Sequence, residues 1–271
     1  RQRSLLGGRL DLYPMRDAAV GETKLEFLPV NHPVETYAVR VSCDGATMVY
    51  TGDTNLCPAL SLFADGAALL LADAGLSEAD WTDEKPHLNP RLCAELAGER
   101  IDIFINNAGF GVCGSLLETD PAKEEEMVQV NVAAMRRLFQ FMLRRMQAQG
   151  GGTILNVASS AGLLPGGPYM AGYYASKAYV VSLTRGAAQE LREKRSPVYV
   201  CALCPGPVNT EFNDRAGVVF ALKGITPEFC VDEAIHGMLH HKTIIVPSAF
   251  MRLCTSAQKL LPTPLLKPIV A

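Results

Sequence analysis

The stretch Y-Y-A-S-K at residues 173–177 decides how the rest of this sequence is interpreted. Tyr173 and Lys177 are four residues apart, so on a helix they share one face. A free tyrosine has a pKa of about 10, and an ammonium beside the ring lowers that value by favouring the phenolate. Ser159, which follows the apolar run 153–158, could hold a substrate carbonyl by a hydrogen bond. Together the three side chains suit proton transfer at a carbonyl or alcohol oxygen while a hydride moves at carbon.

Three further motifs accompany this stretch, whereas a Tyr-x-x-x-Lys pair alone would also fit an ordinary surface helix. N-N-A-G at residues 106–109 ends a predicted strand, Asn131 lies within a predicted long helix, and P-G-P-V-N-T at residues 205–210 follows a later strand. In this order and spacing, the motifs closely resemble those of the short-chain dehydrogenase/reductase family over about residues 99–250. The resemblance implies an α/β fold with a Rossmann-like parallel sheet. It also implies an NAD(P)-dependent oxidoreductase that interconverts a carbonyl and an alcohol.

The resemblance assigns roles to individual residues. Tyr173 would be the catalytic acid/base, and Lys177 would lower its pKa and bond the nicotinamide ribose. Ser159 would orient the substrate oxygen, with the adjacent Ser160 as its rival, and Asn131 would support a water of a proton relay. The cofactor-binding residues implied are Asn106, Asn107, Ala108, Gly109, Lys177, Pro205, Gly206, Val208 and Thr210. The choice between NAD and NADP stays open.

Composition narrows the class of protein and of partner. The 271 residues suffice for one large domain or two small ones, and 48% hydrophobic with 20% charged residues is ordinary for a globular protein. A net charge of −3 gives no reason to expect nucleic acid or an anionic membrane as partner. The longest apolar runs, such as 67–72, are too short to span a bilayer. A small-molecule carbonyl or alcohol is therefore the expected partner, and a homo-oligomer is left open.

The eight cysteines are scattered along the chain. Cys201 and Cys204 are the only close pair and lie in a predicted strand, where positions three apart face opposite sides. Buried thiols are therefore favoured over a zinc site or a redox pair. A reducing cytoplasm fits this cysteine usage. His236 and His240, four apart on a predicted helix, could ligate a metal, but a polar helix end is the favoured interpretation.

The first third of the chain follows another pattern. Residues 36–43 and 46–51 read as a hairpin turned at Asp44-Gly45. N-H-P at residues 31–33, T-G-D-T at 51–54 and P-H-L at 86–88 resemble the later half of metallo-β-lactamase-fold hydrolases of the ribonuclease Z kind.

By that resemblance His32 and Asp53 would be metal ligands and His87 a nearby active-site histidine. The HxHxDH cluster of that family is absent, and two ligands are too few for a tight site. A turn aspartate and a strand-end histidine are therefore the favoured interpretation.

The chain is accordingly predicted to join two partial domains, a metallo-β-lactamase-like segment at 1–98 and a short-chain dehydrogenase catalytic part at 99–271. Nothing between residues 1 and 100 supplies the Gly-xxx-Gly-x-Gly turn that follows the first strand of the usual βαβ unit. We expect a strand at 67–73 and a helix at 90–98 to cross over into a strand at 101–105, and residues 210–223 to form a lid. The alternatives to an active oxidoreductase are a catalytically impaired fusion product and a degenerate metallohydrolase remnant.

Overall fold

The computed structural model describes residues 16–72, 82, 84–85, 87–96, 101–210 and 224–257. The chain divides into two compact units, Arg1–Arg100 and Ile101–Ala271. Within the described residues, no helix combines the length and the apolar character needed to cross a membrane.

The described residues of the first unit form a five-stranded sheet in the order β1-β2-β3-β4-β5. Its strands are β1 (Ala18–Val20), β2 (Thr23–Pro29), β3 (Tyr37–Cys43), β4 (Ala46–Tyr50) and β5 (Leu69–Leu71), and its helices are α1 (Pro58–Ala64) and α2 (Pro90–Leu96). The predicted β3–β4 hairpin is confirmed. Asp44 and Gly45 have φ angles of 48° and 75°, which a type I′ turn requires at both central residues.

The predicted crossover from β5 into the second unit's first strand is wrong. β5 pairs in parallel with β4, with Leu69 opposite Met48, and belongs to the first unit's sheet. The physical reason is the helix α1, which lies between β4 and β5 in the chain. A strand, a helix and a second strand form a short parallel crossover that places β5 beside β4.

In the described part of the second unit, four strands form a sheet in the order β6-β7-β8-β9, and all three neighbouring pairs are parallel. The strands are β6 (Ile103–Asn106), β7 (Gly152–Val157), β8 (Val198–Leu203) and β9 (Ile244–Ile245). The helices are α3 (Pro121–Val128), α4 (Met135–Ala148), α5 (Ala171–Glu193), α6 (Pro227–Leu239) and α7 (Ala249–Ala257). Helices between consecutive parallel strands give the Rossmann-like architecture predicted for this part of the chain.

Both faces of this sheet are covered. Ile154 and Val200 point toward the buried methionines of α4 and the apolar face of α5, whereas Leu155 and Cys201 point toward α6. This alternation follows from the two-residue period of a strand. Cys204 belongs to the α4–α5 side, so the prediction that Cys201 and Cys204 are buried on opposite faces is confirmed.

Candidate active site

The loops after β7 and β8 meet at the carboxyl edge of the second unit's sheet. The Ala158 amide donates to the Leu203 carbonyl at 2.8 Å, and the Ser160 amide donates to the Pro205 carbonyl at 2.7 Å. These two bonds continue the pairing of β7 with β8 beyond the ends of the strands. They fix the backbone on both sides of Ser159.

Helix α5 brings Tyr173 and Lys177 to the same edge. Their exposed fractions are 8% and 5%, since both lie on the buried face of the helix. The Nζ atom of Lys177 lies 5.7 Å from the centroid of the Tyr173 ring and donates a 3.0 Å hydrogen bond to the Val157 carbonyl. The Ser159 side chain hydrogen-bonds the Tyr173 phenol. Ser159, Tyr173 and Lys177 therefore converge, as their spacing predicted.

The structure favours Ser159 over its rival. The Ser159 hydroxyl is half-buried, bonds Tyr173, and accepts a 3.1 Å hydrogen bond from the Ala161 amide. Ser160 is 6% exposed and opens the 3₁₀ turn Ser160–Leu163. The hydroxyl that faces the phenol is therefore that of Ser159.

Gly162 allows this loop to lie directly on α5. A Cβ atom at Gly162 would collide with the backbone carbonyl of Lys177 and would lie 2.9 Å from the Ala178 nitrogen. Both obstacles are backbone atoms, which cannot rotate away as a side chain can. The contact sets the distance between the Ser159 loop and the helix that carries Tyr173.

Asn131 joins a third element to α5. It lies in a π-helical segment, Gln129–Ala134, between α3 and α4, and is 1% exposed. Its amide oxygen accepts from the Phe110 amide at 3.0 Å, and its amide nitrogen donates to the Phe110 carbonyl at 2.8 Å. The same nitrogen donates to the Ser176 hydroxyl at 3.1 Å, which in turn donates to the Tyr173 carbonyl at 2.8 Å. Asn131 thus ties the loop after β6 to the helix of Tyr173.

Sequence reasoning placed Asn131 on a helix but foresaw neither the π-helical register nor the part of Ser176. Single-turn π segments interrupt α-helices frequently at functional sites. Ser176 lies inside the Tyr-x-x-x-Lys stretch, and its position three residues after Tyr173 was the available signal.

The loop after β6 forms a cradle beside Lys177. A Cβ atom at Gly109 would lie 2.9 Å from the Asn131 amide oxygen and 3.2 Å from the Lys177 Nζ. Asn107, Ala108 and Gly109 are exposed, so this backbone lies between the buried ammonium and solvent. A group held here would meet backbone atoms and the Lys177 cation together.

The side chain of Asn106 is hydrogen-bonded within the interior, and the predicted cofactor contact of this residue stays a prediction. Its side-chain nitrogen donates to the Met135 carbonyl at 3.0 Å and to the Asn156 amide oxygen at 3.3 Å. Asn156 donates in turn to the Thr184 hydroxyl at 2.9 Å. Asn106 is 4% exposed. Its amide therefore links β6 to β7 and α4, and through Asn156 to α5, in the interior.

The loop after β8 is held from the side of α6 and α7. A Cβ atom at Gly206 would lie 2.8 Å from the Cγ of Met251 on α7. Val208 forms a parallel bridge with Ile225, whose carbonyl accepts from the Asn209 amide at 2.9 Å. Pro205, Gly206, Val208 and Thr210 therefore follow β8 at the site's edge. Of the predicted lid, residues 211–223 lie outside the described residues.

Burial is the main cause of the shifted pKa values of Tyr173 and Lys177. Desolvation raises the pKa of Tyr173 to about 12, and the hydrogen bond from Ser159 offsets part of that rise. Desolvation lowers the pKa of Lys177 to about 8, and the neighbouring Cys204 thiol acts in the other direction. The shift of Tyr173 is opposite to the one predicted from the sequence. Burial of the phenol is the largest cause of this rise, and the Nζ of Lys177 is bonded to the Val157 carbonyl.

The histidines and the aspartate singled out in the first unit do not form a metal centre. The His32 and His87 ring centroids are 6.0 Å apart in an edge-to-face arrangement. The Nδ1 of His32 accepts from the Val34 amide at 3.1 Å, and Asp53 is exposed. Across the described ranges, no group of three or more His, Cys, Asp or Glu side chains could hold a metal ion.

The His236 and His240 rings lie against each other at the end of α6. Their centroids are 4.1 Å apart, and the Nδ1 of His240 lies 2.8 Å from the His236 carbonyl. The two rings are tilted by 38°, and the polar helix end favoured from the sequence stays a prediction.

Comparison with known proteins decides the family. Residues 67–217 match the family described as short chain dehydrogenase. The chain belongs to the short-chain dehydrogenase family. The match begins about 30 residues before the start predicted from the motifs and so includes β5 and α2. Those two elements carry no residue of the catalytic motifs, which is why the sequence did not reveal them.

Relatives in this family include an uncharacterized oxidoreductase of Thermotoga maritima, 38% identical over 112 residues, which are 41% of this chain and 43% of that protein. Dehydrogenase/reductase SDR family member 6 of Aquarana catesbeiana is 35% identical over 112 residues, 41% of this chain and 45% of that protein. The chain spans about half the length of the curated relatives it matches. A short-chain dehydrogenase from Sphingobium yanoikuyae, solved with NADPH, has a TM-score of 0.58 and 27% identity, covering 74% of this chain and 76% of that one.

Proposed function

We propose that this chain is an NAD(P)-dependent oxidoreductase that interconverts a carbonyl and an alcohol, with Tyr173 as acid/base. The observation that carries the proposal is the hydrogen bond between Ser159 and Tyr173 beside the buried Lys177. Membership of the short-chain dehydrogenase family supports it. The Sphingobium yanoikuyae relative in complex with NADPH supports a nicotinamide cofactor.

The side chains have the protonation states that carbonyl reduction needs. With a pKa of about 12, Tyr173 is neutral near pH 7 and has a proton to donate. Ser159 already bonds that phenol, so a carbonyl oxygen held by both hydroxyls would be polarised and placed for protonation. Asn131 holds the helix and the loop in position and does so from the interior. In the reverse direction Tyr173 must first lose its own proton, and the phenolate oxygen then accepts the proton of the alcohol.

The residues present fit the nicotinamide end of the cofactor. The Gly109 cradle leaves the space that a Cβ atom would fill next to Lys177 Nζ. Lys177 and the backbone of residues 107–109 would hold the nicotinamide ribose, and the loop 205–210 would contact the nicotinamide. When bound, the reduced cofactor supplies the hydride. NAD and NADP both remain candidates.

For the pyrophosphate end of the cofactor, the sequence offers no comparable motif. The sequence of residues 1–100 contains no Gly-xxx-Gly-x-Gly pattern, and in the described part of the second unit β6 is an edge strand. Each charge-assisted hydrogen bond contributes roughly 1.5–3 kcal/mol, and each 1.4 kcal/mol is about tenfold in affinity. Losing two or three such bonds would weaken a micromolar site to about the millimolar range. We therefore expect weak cofactor binding and slow turnover, as in an impaired fusion product.

The test is a fluorescence titration of the full chain with NADH and NADPH, using Lys177→Met and, as its matched control, Lys194→Met. Lys194 ends the same helix and is exposed. We expect millimolar dissociation constants for the unaltered chain and for Lys194→Met, and a loss of roughly tenfold or more for Lys177→Met. Equal binding by all three proteins would contradict the assignment of Lys177.

We also propose that residues 1–98 and 99–271 are separate domains, and that the first is a partial metallo-β-lactamase-like segment without a working metal site. The division of the chain at residue 100 supports two separate domains, although the family match extends back to residue 67. The metallo-β-lactamase-like part of the proposal rests on the sequence motifs at residues 31–33, 51–54 and 86–88 alone. Metal analysis after gentle purification tests it. Stoichiometric zinc or manganese would favour a metallohydrolase remnant instead. The eight free thiols support a reducing compartment such as the cytoplasm.

A further inference from the structure

Tyr169 combines backbone strain with an exposed ring. Its φ angle is 62°, in the left-handed region that side chains other than glycine rarely adopt, and it is 67% exposed. The next residue, Met170, is only 8% exposed and packs inward. The strained turn therefore sends one side chain into the interior and presents the other to solvent. Strain of this kind clusters at ligand-binding sites.

Two exposed leucines follow a residue that is hydrogen-bonded to Tyr169. The Gly114 amide donates a 2.8 Å hydrogen bond to the Tyr169 carbonyl, which joins the loop after β6 to the loop before α5. Leu116 and Leu117 follow Gly114 and are 68% and 96% exposed. We call Tyr169, Leu116 and Leu117 the apolar rim. Single exposed apolar side chains are ordinary, whereas several on joined loops indicate a binding surface.

The apolar rim continues the candidate active site outward. Phe110, Val112 and Met170 pack in one cluster with Tyr173, so both loops that carry the rim contribute residues to the cluster that contains the Tyr173 side chain. A Cβ atom at Gly167 would meet the ring of Tyr174, which shows how closely the second loop lies on α5. A substrate whose oxygen reached Ser159 and Tyr173 would leave its remaining atoms beside these loops.

The chemistry of both loops points to a neutral substrate. Residues 107–120 and 160–170 contain no lysine or arginine, and their charged members are Glu118 and Asp120. A carboxylate or phosphate on the substrate would meet no cation there and would be repelled by these acidic groups. An aromatic ring and two leucines instead offer apolar area and a flat face for a ring-containing body.

We propose that the apolar rim binds the body of the substrate, and that Tyr169 selects neutral ketones or secondary alcohols with a bulky, ring-containing group. This inference rests on the proposed function, since it concerns the same site. The ring of Tyr169 removes apolar surface of the ligand from water only when the ligand is long enough to reach the rim. A small ketone would therefore be bound without its help.

The experiment uses Tyr169→Gly, with Tyr169→Phe as its matched control. Glycine adopts a positive φ without strain, so Tyr169→Gly removes the ring and relieves the backbone at once. Ligand-observed NMR then gives dissociation constants for 2-decalone and for acetone with the full chain and no cofactor. We expect Tyr169→Gly to raise the dissociation constant of 2-decalone by roughly tenfold and to leave that of acetone unchanged. Tyr169→Phe should bind both ketones as tightly as the unaltered chain does.

The outcomes separate this inference from the proposed function. Unchanged binding of 2-decalone by Tyr169→Gly would overturn the inference, whatever the activity of the chain. An equal loss of affinity for both ketones would also overturn the inference, because a selective rim affects binding of the larger ketone alone. Rim-dependent binding together with no reduction of 2-decalone at saturating NADH or NADPH would support the rim and refute the proposed oxidoreductase activity.

Discussion

The ammonium of Lys177 lies 5.7 Å from the centroid of the Tyr173 ring, yet the pKa of Tyr173 is raised to about 12. Burial is the larger effect, since both residues are more than nine-tenths removed from solvent. The same burial lowers the pKa of Lys177 to about 8. The two pKa values are thus shifted in opposite directions, and each shift favours the neutral form of its group.

The first prediction concerns stability and pH. The folded-state pKa of Lys177 is about 8 against 10.5 in the unfolded chain, so between these values the unfolded chain binds more protons. Stability contributed by this group therefore rises from pH 8 to 10.5 and is lost as pH falls through 8. Relative to Lys177→Met, the unaltered chain should gain about 1–3 kcal/mol across that window in urea denaturation.

Tyr173 changes the stability with pH in the opposite direction, and does so at higher pH. Its folded-state pKa of about 12 exceeds 10.0, so the folded chain binds more protons and stability falls as pH rises above 10. Lys194→Met serves as the control for the first window. A flat difference between the unaltered chain and Lys177→Met from pH 8 to 10 would show that Lys177 is solvated in the folded protein.

The second prediction compares two glycine substitutions. Gly162→Ala places a Cβ against the backbone carbonyl of Lys177 and should destabilise the chain by about 1–3 kcal/mol while displacing Ser159 from Tyr173. Gly186→Ala, within α5, meets no atom within 4 Å and should stabilise the helix by about 0.5–1 kcal/mol. Thermal unfolding and turnover measure both. Equal stability of the two variants would show that the loop does not lie against α5 as described.

The third prediction concerns the Asn131 link. Asn131→Ala removes the partners of the Phe110 amide, the Phe110 carbonyl and the Ser176 hydroxyl in the interior. Each buried polar group left without a partner costs about 1–3 kcal/mol. Asn131→Asp keeps the acceptor for the Phe110 amide and should lose less stability than Asn131→Ala. If Asn131→Ala unfolds at the same urea concentration as the unaltered chain, the hydrogen bonds of Asn131 contribute nothing to stability.

The convergence of the site could be predicted from the sequence because its determinants are local. Tyr173 and Lys177 share a helix face by spacing alone, and Ser159 follows an apolar run that reads as a strand. In a parallel sheet the carboxyl ends of such strands lie at one edge, where the loops that follow them meet. The β3–β4 hairpin could be predicted because its determinant is also local, since an Asp-Gly pair such as Asp44-Gly45 strongly favours a two-residue hairpin turn.

Other features depend on packing between distant parts of the chain. The three leucines of β5 could pair with either sheet, and only the complete fold decides for β4. The inward role of Asn106 depends on Met135, Asn156 and Thr184, which come from three separate elements. The raised pKa of Tyr173 has the same origin, because desolvation is a property of the folded interior.

The most direct measurement compares the reduction of a carbonyl substrate by the unaltered chain, Tyr173→Phe and Tyr174→Phe. Tyr174 is the neighbouring tyrosine, and its ring contact beside Gly167 does not require the hydroxyl. Loss of NADPH absorbance at millimolar NADPH, with 2-decalone as substrate, reports the rate. We predict that Tyr173→Phe lowers kcat/KM by roughly 10²–10⁴-fold and that Tyr174→Phe stays close to the unaltered rate. Full activity in Tyr173→Phe would contradict the assignment of Tyr173 as the acid/base.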